Sequence, residues 1–243
     1  MTRIIESVTS TNSFLIEELS TGNRPLEGDL LFAKFQTGGR GQRGNSWESN
    51  KGENILCSFV VYPTQISPSD QFMITLAVSL GITDHLADII PSLPLGIKWP
   101  NDIYVGEKKL GGVLIENSLM GSGIDYSVIG FGINVNQTLF LSGAPNPVSL
   151  AQLTGKEYDP VSLAAGIRDS IMKRYYQLPE QHKQLKMVYY SRLFRFQQSA
   201  AFLFEGNKIS AAINGIDEYG RLTLTTDDGS ELVAAFKEIE FLF

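Results

Sequence analysis

Residues 37–49, TGGRGQRGNSWES, hold four glycines, two arginines and a tryptophan. Gly39, Gly41 and Gly44 spell G-x-G-x-x-G, a spacing used by several unrelated phosphate sites. A dinucleotide fold needs a helix after the glycines, but Gly44 is followed by NSWESNKGENILCSFVV, which heads into a strand. A Walker loop needs lysine where Asn45 stands. A kinase glycine loop needs a catalytic H-R-D, and the chain's two histidines lie in DHLA (His85) and QHKQ (His182). A plain hairpin with glycines at positive φ is the bland alternative. Against it, Arg40 and Arg43 offer a phosphate clamp and Trp47 a stacking plane in one loop.

A second constellation, KWPNDIYVGEKKLGGVLIE, spans 98–116 and gathers Lys98, Trp99, Asn101, Asp102 and Lys109 around a strand–turn–strand. Lys108 reads as a solvated turn lysine. Lys109 does not, because Gly111 and Gly112 just after it let a ligand come close to the backbone. In GFGINVN (130–136), Asn134 and Asn136 punctuate an apolar strand. Two readings of Asn134 stay open: a purine-edge reader, or a backbone-bonded residue ending a strand.

The elements that must position these groups follow from periodicity. STNSFLIEELS (10–20) reads as a short capped helix, and 69–90, 159–177 and 180–194 as further helices. Strands are expected at 29–36, 54–63, 96–105 (interrupted by Pro100), 110–117 and 126–136. Beyond 196, short β runs separated by EGN, DEYGR and DDGS are the pattern of a small all-β barrel. The expected organisation is therefore α+β, with domains at 1–195 and 196–243.

The net charge of −6 over 243 residues offers no footprint for duplex DNA or an anionic membrane. The single Cys57 excludes an internal disulfide, and no apolar presequence or 18-residue apolar run is present, so a cytoplasmic location is expected.

Five segments, STN (10–12), GGRGQRGNSW (38–47), KWPNDI (98–103), KKLGGVLIE (108–116) and GFGINVN (130–136), occur in the order found in biotin protein ligases. The whole chain resembles that family. The resemblance implies a mixed-sheet catalytic domain related to class II aminoacyl-tRNA synthetases, and an SH3-like C-terminal barrel. It also implies a two-step reaction: biotin and MgATP give biotinyl-5′-AMP, which then acylates one lysine of a biotin carboxyl carrier protein. No dedicated protein metal site is expected, since Mg²⁺ would ride on the phosphates.

By the same resemblance Ser10, Thr11, Asn12, Gln36, Gly39, Gly112 and Gly130 serve biotin, with Arg40 and Lys109 at its activated carboxylate. Arg40, Gln42, Arg43, Trp47, Asn101, Lys109 and Asn134 serve the nucleotide, and Lys109, Arg40 and Asp102 the chemistry. The family loop usually carries arginine where Gln42 and Asn45 stand here. The glycine loop is expected to be disordered without ligand and to close over the adenylate. Some members carry an N-terminal helix-turn-helix and repress transcription. STN begins nine residues into this chain, so neither that domain nor DNA binding is expected. Members commonly form homodimers, though no surface can be read here as the interface. A lipoate ligase of the same superfamily and a non-catalytic binding module are the rival readings.

Overall fold

The structure is a computed structural model and describes residues 1–141 and 146–243, the side chain of Arg43 excepted. Seven strands form the main sheet: β1 (Thr2–Ile5), β2 (Leu30–Ala33), β3 (Ile55–Val61), β4 (Leu95–Lys98), β5 (Asp102–Val105), β6 (Lys108–Met120) and β7 (Gly123–Ile133). Their order is β1-β2-β3-β7-β6-β5-β4, with β1 and β2 parallel and every other pair antiparallel. β3 sits inside the sheet and is buried at all seven positions, as its uninterrupted apolar run requires.

Four helices flank this sheet: α1 (Thr11–Ser20), α2 (Phe72–Ile89), α3 (Leu150–Thr154) and α4 (Pro160–Arg192). α1 covers part of one face through Leu15 and Leu19, which pack with Leu31, Val60 and Val128. α2 and α4 pack with the main core, where α2 buries Leu76, Leu80 and Ile82 completely. Asp159 caps α4 by accepting the Ser162 N–H at 3.0 Å, and Pro160 occupies the first turn. The two helices expected at 159–177 and 180–194 are both present in α4, which runs as two helical segments joined at a kink where Gln181 leaves helical φ/ψ, two residues after Pro179. Proline removes one N–H and crowds the preceding turn, which kinks the helix but does not stop it resuming. β1 and α3 were absent from the sequence expectation, for both are too short to show a period.

β8 (Ser199–Phe204), β9 (Asn207–Ile216), β10 (Leu222–Thr226), β11 (Glu231–Ala234) and β12 (Ile239–Phe241) form a second, antiparallel sheet. Its order is β11-β10-β9-β8-β12. The expected barrel is thus an open sheet among the described residues; between β11 and β12 the chain makes a turn with an isolated bridge from Phe236 to Ile239. Both sheets share one apolar core, to which Phe202, Ile213 and Leu222 contribute from the second. Trp99, in a cis Trp–Pro turn between β4 and β5, ties them further: its Nε1 donates to the Gly220 carbonyl at 3.0 Å, and its ring meets Phe236 edge-on.

Candidate active site

The register across the main sheet builds the floor of one cavity. Lys98, Asp102, Gly112, Gly132 and Leu56 are successive partners from β4 through β5, β6 and β7 to β3. Two residues along, Leu114, Gly130 and Ser58 make the next row on the same face. Glycine at 112, 130 and 132 hollows this floor. A Cβ at Gly132 would come within 2.7–3.0 Å of the Trp47 indole, and one at Gly130 would collide with the Asn12 amide. The cavity encloses about 140 Å³, and all the residues of these two rows except Ser58 line it.

A bulge places the key lysine. β5 and β6 pair Ile103 with Gly111 and Tyr104 with Lys109, leaving Leu110 as the extra residue. That insertion turns Lys109 onto the face of Gly112 and Asp102, instead of the opposite one. Its Nζ lies 2.8 Å from Asp102 Oδ1, with both side chains largely buried, and 5.8 Å from the Trp47 ring centroid. Lys108 is exposed, as expected.

The start of α1 forms one end of the cavity. Ser10 is its N-cap residue but makes no side-chain cap bond. The Thr11 N–H and hydroxyl both donate to Gln36 Oε1, at 2.7 and 3.0 Å. The Ser58 hydroxyl lies 2.7 Å from Thr11 Oγ1 and 2.6 Å from Asn12 Oδ1. The Asn12 amide nitrogen donates to the Leu114 carbonyl and to Glu116 Oε2, at 3.2 and 2.7 Å.

The glycine loop is a small hairpin folded over this floor. The Trp47 N–H donates to the Gly39 carbonyl at 3.0 Å, Arg40 and Ser46 form a bridge, and residues 42–44 make a single 3-10 turn. Gly39 itself is wedged: a Cβ there would stand 2.8 Å from the Trp47 carbonyl and 3.3 Å from Gln36 Nε2. Two tethers hold the hairpin down. Arg40 Nη2 donates to both oxygens of Glu116, at 3.0 and 3.1 Å, and the Trp47 indole lies on Gly132 with its Nε1 buried and without a hydrogen-bond partner. Gln42 lines the cavity. The Arg43 side chain, expected at the nucleotide, lies outside the described residues.

Of the remaining expected residues, Asn101 lines the cavity but its amide nitrogen is engaged by the Val113 carbonyl, which pins the β4–β5 turn to β6. Asn134 is not brought to the cavity wall. Its amide nitrogen donates to the Val148 carbonyl at 3.1 Å, the backbone-bonded arrangement that was one of its two readings. Ser10, Thr11, Asn12, Gln36, Arg40, Gln42, Trp47, Asn101, Asp102, Lys109, Gly112 and Gly130 all line the same cavity.

Sequence reasoning missed Glu116, Ser58, Gly132 and Phe236. Glu116 follows Gly112 and Leu114 at period two on one strand, so alternation alone could have placed it on the cavity face. Phe236 reaches the cavity from the second sheet, and no local signal announces it.

Chemically, a trough hollowed by Gly112, Gly130 and Gly132, walled by cations and covered by an indole on a hairpin, suits a flat ligand carrying phosphate. Residues 4–134 match the biotin/lipoate A/B protein ligase family. The bifunctional ligase/repressor BirA of Bacillus spizizenii is 30% identical over 236 residues, covering 93% of this chain and 70% of that protein. The biotin–[acetyl-CoA-carboxylase] ligase of Mycobacterium tuberculosis is 27% identical, covering 96% and 86%. Among solved structures, the Aquifex aeolicus biotin protein ligase in complex with biotin and ATP is 28% identical and superposes with a TM-score of 0.81, over 99% of this chain and 98% of that one. The chain belongs to the biotin/lipoate A/B protein ligase family.

Proposed function

We propose that this protein activates biotin with ATP as biotinyl-5′-AMP and transfers the biotinyl group to one lysine of a biotin carboxyl carrier protein. The convergence of Arg40, from the hairpin, and Lys109, from the bulged strand, on one glycine-floored cavity carries the reading. The names of the similar proteins, and the biotin and ATP bound in one of them, point to the same substrates.

In the first step a biotin carboxylate oxygen attacks the α-phosphorus and pyrophosphate leaves. Two anions must meet while charge grows on the phosphoryl oxygens, so fixed cations act directly on the transition state. Lys109 is positioned for this by Asp102. Arg40 is held by an ion pair in which the arginine is exposed and Glu116 half-buried, worth no more than about 1 kcal/mol, so a phosphate can take the place of Glu116. The polar turn at Ser10, Thr11 and Asn12, with Gln36, Gly112 and Gly130, receives biotin, and Trp47 covers the adenine. In the second step the carrier's lysine amine attacks the acyl carbon and AMP departs, with Asp102 receiving the incoming amine.

Asp102 is the one carboxylate among the described cavity-lining residues. That fits Mg²⁺, which binds through one or two carboxylates and substrate phosphates. When bound, the ion would neutralise phosphate charge, and Asp102 is the side chain that would hold it. We extend the proposal to the fold: the seven-stranded part is of the class II synthetase type, and the C-terminal strands form an SH3-like module.

Exchange of labelled pyrophosphate into ATP tests the reading. It should require biotin; exchange that needs lipoate instead would move the chain to the lipoate branch, and none with either would end the adenylation reading.

A further inference from the structure

A second cavity shares no lining residue with the first. It lies between the chain entering β2, the loop after β3 and the part of α4 just before its kink, and encloses about 370 Å³. Three tyrosines stand on its wall, Tyr62, Tyr175 and Tyr176, together with Leu178 and two carboxylates, Glu27 and Glu180. No lysine, arginine or histidine joins them among the described residues.

Glu27 is half-buried, and both of its oxygens are held by neutral donors. Oε1 accepts from the Tyr62 N–H at 2.8 Å and the Tyr175 hydroxyl at 3.3 Å, and Oε2 from the Tyr176 hydroxyl at 3.2 Å. Arginines on neighbouring segments are engaged elsewhere, Arg24 with Asp125 at 3.0 Å and Arg168 with the Gly28 carbonyl at 2.6 Å. Asp84 shows the contrast, since two arginines neutralise it. Tyrosines fix the Glu27 carboxylate without cancelling its charge, and their ring faces themselves attract cations. One ring already does so from outside the cavity, where the Arg24 guanidinium rests 4.7 Å from the Tyr62 centroid.

We propose that this cavity binds a linear alkyl diammonium, a free diamine or polyamine, with one ammonium at Glu27 and another at Glu180. Two negative charges without a base on the wall match two positive ones. Leu178 and the tyrosine rings give the methylene chain between them an apolar surface. A metal ion suits the cavity poorly. It requires several closely spaced oxygens, whereas Glu27 and Glu180 are the only acids on this wall and neutral donors already hold both oxygens of Glu27.

Burial, with the charge of Glu27, keeps the Tyr175 hydroxyl protonated well above the ordinary tyrosine range. A half-buried carboxylate that retains its charge is costly, and an arriving cation relieves that cost. Glu180 adjoins Gln181, where α4 kinks, so the ligand ties that kink to the segment before β2. Nothing at this site depends on the adenylation reading.

Calorimetric titration of the full chain with 1,5-diaminopentane at fixed ionic strength tests the site, with n-pentylamine and N-acetyl-lysine amide as comparison ligands. One diamine should bind per chain with a Kd near or below about 1 mM, and the thermal midpoint should rise with its concentration. n-Pentylamine, with one ammonium, should bind about tenfold more weakly. Glu27→Gln should weaken diamine binding about tenfold or more, and Tyr176→Leu, at an exposed position, about threefold. If Glu27→Gln does not fold, Glu180→Gln takes its place with the same expected loss. Absence of saturable diamine binding to wild type, or binding unchanged in the carboxylate variant and in Tyr176→Leu, overturns the site. Pentylamine or the lysine amide binding as tightly as the diamine overturns the diammonium assignment.

Discussion

Lys98 is the ladder partner of Asp102 across the β4–β5 hairpin, but Lys109, from the next strand, takes that carboxylate at 2.8 Å. The pairing depends on the bulge at Leu110, which turns Lys109 to the cavity. Replacing Lys109 by alanine should therefore remove a cation from the reacting centre while leaving the core untouched. Adenylate formation should fall by about 10²–10³-fold, with an unchanged circular dichroism spectrum. Wild-type exchange in Lys109→Ala would refute its role.

Gly132 gives a second expectation. Alanine there is compatible with the backbone, which does not have a positive φ, but its Cβ would stand 2.7–3.0 Å from the indole of Trp47. Overpacking of this kind costs about 1–3 kcal/mol, so the indole should leave the floor. Tryptophan emission of Gly132→Ala should shift to the red while Trp99, buried in the core, contributes a constant background. An unshifted spectrum together with wild-type KM for ATP would contradict the arrangement.

The hairpin's second tether is weak. Glu116→Gln keeps an acceptor for Asn12 but removes the charge that holds Arg40. Loss of about 1 kcal/mol should speed tryptic cleavage after Arg40 roughly fivefold, and biotin with ATP should slow cleavage in both forms. Identical cleavage in all four samples would show that neither Glu116 nor ligand governs closure.

Acid sensitivity should centre on Asp84 of α2, which accepts from Arg174 Nε at 2.6 Å and pairs with Arg192 Nη1 at 2.8 Å, both on α4. Burial opposes its charge, but the two arginines prevail and hold the carboxyl below its ordinary value. A carboxylate lowered in the folded state adds stability above its unfolded pKa of about 3.9, and that stability is lost as pH falls through the folded value. Asp84→Asn should cost about 1.5 kcal/mol at pH 7, at the low end for charged hydrogen bonds because the group is partly solvated. Urea unfolding should show the gap between variant and wild type narrowing toward pH 3. A constant gap would place the effect elsewhere.

Much of the site could be read from residue types because its chemistry is local. Lys109 beside two glycines, and Arg40 with Trp47 in one loop, announce themselves within a few positions. The facing of Lys109 could not be read, since it depends on one bulged residue that breaks strict alternation. The Asn12–Glu116 bond joins residues 104 apart, so neither segment signals the other. The isolation of Lys98 is a matter of who already holds Asp102, a fact of three-dimensional competition. In the fold, turn residues marked the C-terminal strands well, and the break between the two helical stretches of α4 falls at Gln181, close to where their periodicity divides. The closure expected of the last strands depends on how β11 and β12 meet, which turn spacing does not encode.

The central claim is tested most directly by the intact mass of a biotin carboxyl carrier domain incubated with the protein, biotin and ATP. The account predicts the gain of one biotinyl group on a single lysine, absent when ATP is withheld. A carrier domain of unchanged mass, or one modified only when lipoate replaces biotin, would contradict it.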